Sequence, residues 1–144
     1  MVLGHEGAGR ISAPGEGVTG FAVGEAVTVH PAMYCGDCGD CLAGRTNLCP
    51  QVTYYGSAAH RPHTHGAFAS RKAVPAGQLR RLPAGVTTRQ AAVAEPLAVA
   101  IHAVGRAGSL AGKDVLVNGA GPIGALLVRA ARRPPCRRRQ RRRQ

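Results

Sequence analysis

Four cysteines packed into one short stretch, Cys35, Cys38, Cys41 and Cys49, limit what this chain can become more than any other feature. Their spacing is Cys-x2-Cys-x2-Cys-x7-Cys, and Gly36 and Gly39 between them let the backbone curl so that the sulfurs converge. Four thiolates this close suit a tetrahedral zinc ion, with bonds of about 2.3 Å and no position left open for a substrate. Such a site stabilises a lobe and does not itself catalyse. Free or disulfide-paired cysteines are the competing reading, and the expected reducing setting weighs against disulfides.

The rest of the chain has the texture of short strands and turns. It is 144 residues long with 20 Gly, 10 Pro, 3 Tyr, 2 Phe and no Trp, which favours a β-rich body over long helices. Ile11 to Pro31 is punctuated by Pro14, Gly15, Gly17 and Gly20 and contains the β-prone run Ala26-Val27-Thr28-Val29. The cysteine-rich segment and the His-containing loop from Tyr54 to Gly66 show no helical pattern. A strand is expected near Phe68 to Val74, then a turn at Leu82-Pro83-Ala84-Gly85.

At Thr88 the character changes. Ala91 to Val104 has helical spacing, with a break expected near Glu95 because Pro96 follows. Gly105 to Gly112 is expected to be a linker, Asp114 to Asn118 a buried strand, and Pro122 to Arg132 a helix with Pro in its opening turn. The pattern divides the chain into residues 1–93, residues 94–133, and a tail of residues 134–144.

The formal charge of +12 suggests nucleic acid. However, eight of the basic residues lie between Arg132 and Gln144, and the remainder has eleven bases against seven acids. The electrostatic argument therefore concerns the tail alone, which has no aromatic interleaving. A tail of Pro-Pro-Cys followed by Arg and Gln only cannot bury enough apolar surface to order itself, so disorder is expected there. The N-terminal residues lack the pattern of a signal peptide, and no apolar run approaches membrane-spanning length. A cytoplasmic location is the expectation.

Further along, Val115-Leu116-Val117-Asn118 runs into Gly119-Ala120-Gly121-Pro122-Ile123-Gly124. Strand, Gly-x-Gly-x-x-Gly and helix in that order form a pyrophosphate-binding turn: the glycines allow close backbone approach, and the helix N-terminus attracts the anion. Gly119, Gly121, Pro122, Ile123 and Gly124 are the candidate cofactor residues. No acid follows Asp114 to hold a ribose hydroxyl.

Pro31 through Pro50, with its Gly-Asp-Cys repeats and its Gly44-Arg45-Thr46-Asn47-Leu48-Cys49 ending, resembles the structural-zinc lobe of zinc-dependent medium-chain alcohol and polyol dehydrogenases. Gly4-His5-Glu6-Gly7 resembles that superfamily's catalytic-zinc segment. Glu95-Pro96-Leu97-Ala98 occupies the place of a further ligand, which is Glu in the polyol subgroup. Two more stretches, Tyr55 to Ala58 and Ala94 to Ala103, resemble the L-idonate 5-dehydrogenase branch.

The resemblance, covering residues 1 to 133, implies a partial GroES-like catalytic domain followed by the first β-α unit of a Rossmann domain. It implies a structural zinc on the four cysteines and a catalytic zinc on His5, Glu6 and Glu95. The cofactor would be NAD or NADP, the substrate a small polyol or sugar acid, and the family's assemblies are homo-oligomers. The family's first catalytic-zinc Cys precedes the Gly-His-Glu segment and has no counterpart among these cysteines. The expectation is a truncated chain with an incomplete catalytic site and little or no activity, its Arg-rich end produced by a reading-frame shift after Arg133.

Histidines outside these motifs are expected to be ordinary: His60, His63 and His65 as loop residues, His102 packed on its helix. The alternative to an enzyme fragment is a small zinc-stabilised binding module whose basic tail grips nucleic acid. Against it, a zinc ribbon would show two separated Cys pairs.

Overall fold

A computed structural model of the chain describes residues 1–132; the Arg-rich tail, with the expectations placed on it, lies outside them. The chain divides into two compact units, Met1–Glu95 and Pro96–Gln144.

In the first unit, β1 (Ala8–Arg10), β2 (Ala26–Val29) and β5 (Leu79–Arg81) form an antiparallel sheet in the order β1-β2-β5. Gly9 faces Val27, and Thr28 faces Arg80. The long connection from β1 to β2 turns on Gly17, Gly20 and Gly24, all with positive φ, a conformation that costs glycine little. It is closed by bonds from Ile11 N to Glu25 O (3.0 Å) and from Gly24 N to Ile11 O (2.8 Å). Val27, only 4% exposed, fills the centre of the sheet. At its edge the Glu25 carboxylate accepts from Arg81 Nε and from Ala22 N. That backbone donor and the nearby guanidinium hold the carboxyl below its ordinary pKa, against the opposing effect of desolvation.

A second ladder pairs β3 (Ala32–Met33) with β4 (Thr53–Tyr54) and brackets the cysteine lobe. Contrary to expectation, that lobe contains helix: a single turn, α1 (Gly39–Leu42), and a 3-10 turn at Thr46–Leu48. Both are too short to leave a periodic pattern in the sequence.

One buried amide joins the two ladders. Tyr55, 4% exposed, donates its hydroxyl to Gln78 Oε1 at 2.6 Å. Gln78 Nε2 donates to the carbonyls of His30 (2.9 Å) and Ala32 (3.0 Å), and Gln78 O accepts from His30 N (2.8 Å). Every polar group of this interior cluster is thereby partnered, which is what allows it to be buried.

The strand expected near Phe68 to Val74 does not form. Gly66, Ala67 and Phe68 instead donate singly to Val2, Gly4 and Leu3. Gly4 has φ +87°, so the segment opposite cannot run on as a regular ladder. A side chain at Gly56 would lie 2.7 Å from Gly4 N, and one at Gly66 would collide with the carbonyls of Leu3 and Gly4. Three glycine backbones therefore cross in contact directly before His5.

The helical segment begins at a capping box, in which Thr87 Oγ1 accepts from Gln90 N and Gln90 Oε1 accepts from Thr87 N. After α2 (Thr88–Ala91) comes a break at Ala92 and Val93, and then α3 (Ala94–Ala107). The break precedes Glu95, so Pro96 falls in the first turn of α3, where its missing N–H interrupts no helical bond. Gly105 is helical rather than part of a linker, and Gly108 at φ +75° ends the helix.

In the second unit, α4 (Pro122–Ala131) starts with Pro in its first turn. Asp114 to Asn118 forms no paired strand, and Leu116 is 93% exposed. A strand needs a neighbouring ladder to bond its backbone, and none stands beside these residues among those described. No helix of the described residues is long and apolar enough to cross a membrane.

Replacing Gln78 with Leu removes the acceptor of the buried Tyr55 hydroxyl, the side-chain donor to the His30 carbonyl and one of the two contacts of the Ala32 carbonyl. It is expected to lower unfolding stability by about 1–3 kcal/mol, read as a reduced urea midpoint; an unchanged midpoint would show that the joint contributes no stability.

Candidate metal centres and cofactor loop

The cysteine lobe folds so that all four sulfurs meet. Gly36, at φ +88°, turns the backbone between Cys35 and Cys38, and Cys38 caps α1, which carries Cys41. Arg45 then anchors to Asp40 through Nε (3.0 Å) and Nη2 (2.8 Å) on Oδ1. The 3-10 turn that follows returns Cys49 to the cluster, where it is 3% exposed.

The sulfurs lie within 4.8 Å of one another, with Cys35 to Cys49 at 3.5 Å and Cys35 to Cys41 at 3.8 Å. A tetrahedron of bonds of about 2.3 Å has edges of about 3.8 Å, so the spacing fits a zinc ion. The thiols respond to their surroundings in opposite senses. Hydrogen bonding to the Asp37 carboxylate pushes Cys35 up to about 12, and burial raises Cys41. The backbone N–H of Cys35 leads in lowering Cys49 to about 7. A divalent cation at the centre reverses the cost of ionising them together.

His5, Glu6 and Glu95 form the second group, their ligand atoms also within 4.8 Å of one another. His5 and Glu6 leave the glycine crossing described above, and Glu95 arrives from the first turn of α3. One imidazole nitrogen and two carboxylates suit zinc. Unlike the sulfur group, this one has an exposed member, Glu6.

A residue that the sequence analysis did not single out stands beside it. Tyr54 donates its hydroxyl to Glu95 Oε1 at 2.7 Å, and its ring meets the His5 ring edge-on at 5.2 Å. Burial first, then the neighbouring carboxylate, raise its pKa, so the hydroxyl stays protonated and donating. No spacing rule links positions 54 and 95; the pair exists only through the tertiary fold.

At the glycine loop, Gly119 has φ +101°, Gly121 caps α4, and a side chain at Gly124 would overlap the Gly119 carbonyl oxygen. Loop and helix line a concavity of about 420 Å³ with Val117, Gly119, Ala120, Gly124, Ala125 and Val128. Backbone is thus exposed at a helix N-terminus, the arrangement that accepts a pyrophosphate. A concavity of about 510 Å³ along the sheet, between Phe21, Val27, Val29 and Leu79, contains none of the predicted ligands.

Among the described residues the remaining histidines assemble no third group. His60 Nε2 contacts Val52 O, His63 Nδ1 contacts His60 O, and His65 Nδ1 accepts from Val2 N. His102 is exposed on α3 rather than packed.

Residues 1–84 match the alcohol dehydrogenase GroES-like domain. The chain belongs to that family. A 2-dehydro-3-deoxy-L-galactonate 5-dehydrogenase of Pseudoalteromonas atlantica is 44% identical over 132 residues, covering 92% of this chain and 37% of the relative. An L-threonine 3-dehydrogenase of Idiomarina loihiensis has the same identity and coverage. Among solved structures, L-idonate 5-dehydrogenase of Escherichia coli superposes with a TM-score of 0.83 at 40% identity, covering 91% of this chain and 37% of that one. The chain therefore spans little more than a third of the relatives it matches. All three are named as dehydrogenases, and a solved neighbour from Sinorhizobium meliloti, 38% identical with a TM-score of 0.81, covering 90% of this chain and 36% of that one, is described as a putative zinc-binding dehydrogenase. The GroES-like fold accounts for the sheet-rich first unit.

Cys49→Ser removes the most buried sulfur. It is expected to reduce zinc retained after dialysis by roughly one ion per chain, measured by elemental analysis; undiminished zinc would show that the sulfurs hold none.

Proposed function

We propose that this chain supplies the metal-binding part and the opening of the cofactor site of an NAD(P)-dependent dehydrogenase that oxidises a secondary alcohol of a polyol or sugar acid. One observation carries the reading. An imidazole and two carboxylates from opposite ends of the first unit converge within 4.8 Å, apart from the four-sulfur group. Stability alone gives little reason to bring two carboxylates together, because like charges repel; a cation between them removes the conflict.

In this reading Cys35, Cys38, Cys41 and Cys49 hold a structural zinc, and His5, Glu6 and Glu95 are the donors for a catalytic one. A zinc ion there would act as a Lewis acid on the alcohol oxygen, easing loss of its proton. The protein's own part is placement. His5 is fixed by the glycine crossing, Glu95 by the start of α3, and the exposed side at Glu6 admits the alcohol. Gly119, Gly121, Pro122, Ile123 and Gly124 would receive the pyrophosphate of NAD or NADP, which when bound would supply the hydride acceptor. Three donors, one of them exposed, hold a metal less firmly than four sulfurs.

The matched relatives' names support the substrate class: two act on sugar-acid derivatives and one on threonine, each at an internal position. Residues 1–93 as the zinc-binding domain, with residues 94–133 as the connecting helix and the start of the cofactor-binding domain, are the proposed organisation, and a cytoplasmic homo-oligomer is the proposed setting of the whole protein.

The test is metal titration of the purified chain, with NAD reduction in the presence of L-idonate or sorbitol followed in the whole protein. One zinc should survive dialysis, and a second, exchangeable ion should be lost in His5→Ala and in Glu95→Ala. In the whole protein these substitutions should lower alcohol-dependent NAD reduction by at least a hundredfold, about 2.7 kcal/mol of barrier. Exchangeable binding that survives both substitutions would overturn the assignment.

A further inference from the structure

Tyr54 touches two of the three proposed ligands at once, and the chemistry above gives it no part. Its hydroxyl donates to Glu95 Oε1 at 2.7 Å, and its ring lies against His5 at 73° between planes, with centroids 5.2 Å apart. It is itself firmly placed. Its backbone pairs with Ala32 in the β3–β4 ladder, and the adjacent Tyr55 is buried and bonded to Gln78.

A free glutamate rotates about three side-chain bonds, and a ligand that must be ordered on metal binding weakens the site by that ordering. A phenol has one proton to donate, and here it goes to Oε1. Oε2 has no hydrogen bond among the described residues, so it is the oxygen left for a cation. The T-shaped contact between the rings likewise restricts the tilt of the His5 imidazole.

We infer that Tyr54 is a positioning residue: it sets Glu95 and His5 in their ligating arrangement before any metal arrives. The inference rests on the reading of His5, Glu6 and Glu95 as metal donors and adds a residue outside that set. Outer partners of metal ligands commonly contribute ten- to a hundredfold in affinity, because they fix the ligand's orientation.

The experiment is a cobalt titration of the full chain with the sulfur site already filled by zinc, followed by calorimetry and visible absorption. Wild type is compared with Tyr54→Phe, which keeps the ring and removes the hydroxyl, and with Tyr54→Leu, which removes both. Tyr54→Phe is expected to weaken the exchangeable site by about tenfold or more and to shift the cobalt visible bands as Glu95 reorients. Tyr54→Leu should weaken it further, and the zinc content of the sulfur site should stay constant.

Cobalt affinity within twofold of wild type in Tyr54→Phe would overturn the inference. So would a lowered thermal midpoint of the metal-free protein with affinity unchanged, since that is the mark of a purely structural tie. If the unsubstituted chain takes up no cobalt beyond the sulfur site, the donor assignment itself fails, and that result is read before any variant is made.

Discussion

The side-chain amide of Gln78 bonds the carbonyls of His30 and Ala32 and accepts from Tyr55, so the chain entering the cysteine lobe, the chain leaving it and the turn before β5 share one buried group. Apolar contact alone would allow these segments to slide, whereas directed bonds to a buried group do not. The β3–β4 ladder is only two residues long on each strand, too short to be stable alone, and the Gln78 bonds supply what the ladder lacks. Tyr54 takes its place from that arrangement and from there meets the Glu95 carboxylate and the His5 ring, whose backbones the start of α3 and the glycine crossing hold.

Two metal-suited groups on one unit differ in ways that match different tasks. The sulfur group is built from sequence neighbours, includes one of the most buried residues, Cys49, and has no room for a further ligand. The His5, Glu6 and Glu95 group joins two adjacent residues to one that is distant in sequence, needs the completed fold to exist, and keeps one member exposed. Openness, not ligand number alone, is the difference on which the proposed division between a catalytic and a structural group rests.

How much of this was legible in the sequence follows the same division. The cysteine spacing and the glycine loop are local patterns whose geometry is fixed within a few residues, so they could be read directly. The donors His5, Glu6 and Glu95 came from resemblance rather than from their own spacing, and their convergence is a product of the fold. Gln78 and Tyr54 carried no signal at all, since a glutamine or tyrosine in a turn-rich segment is unremarkable until its partner is brought to it. The helix break fell at Ala92 and Val93 rather than at the residue before the proline, because a first-turn proline is accommodated by a helix that starts just ahead of it.

The contrast between Asp114–Asn118 and the loop after it shows why the two kinds of pattern differ. Val115, Leu116 and Val117 have strand-forming side chains, yet Val115 is 50% and Leu116 93% exposed and neither lies in a ladder. A strand belongs to a sheet: its backbone bonds and the burial of its faces come from neighbours. The glycine loop asks for none of that. Gly119 adopts positive φ from its own lack of a side chain, Gly124 approaches the Gly119 carbonyl for the same reason, and Ala125 N bonds Gly121 O at 2.9 Å to close the first helical turn. The feature that would hold a pyrophosphate is therefore set by six consecutive residues, independently of the sheet that would flank it.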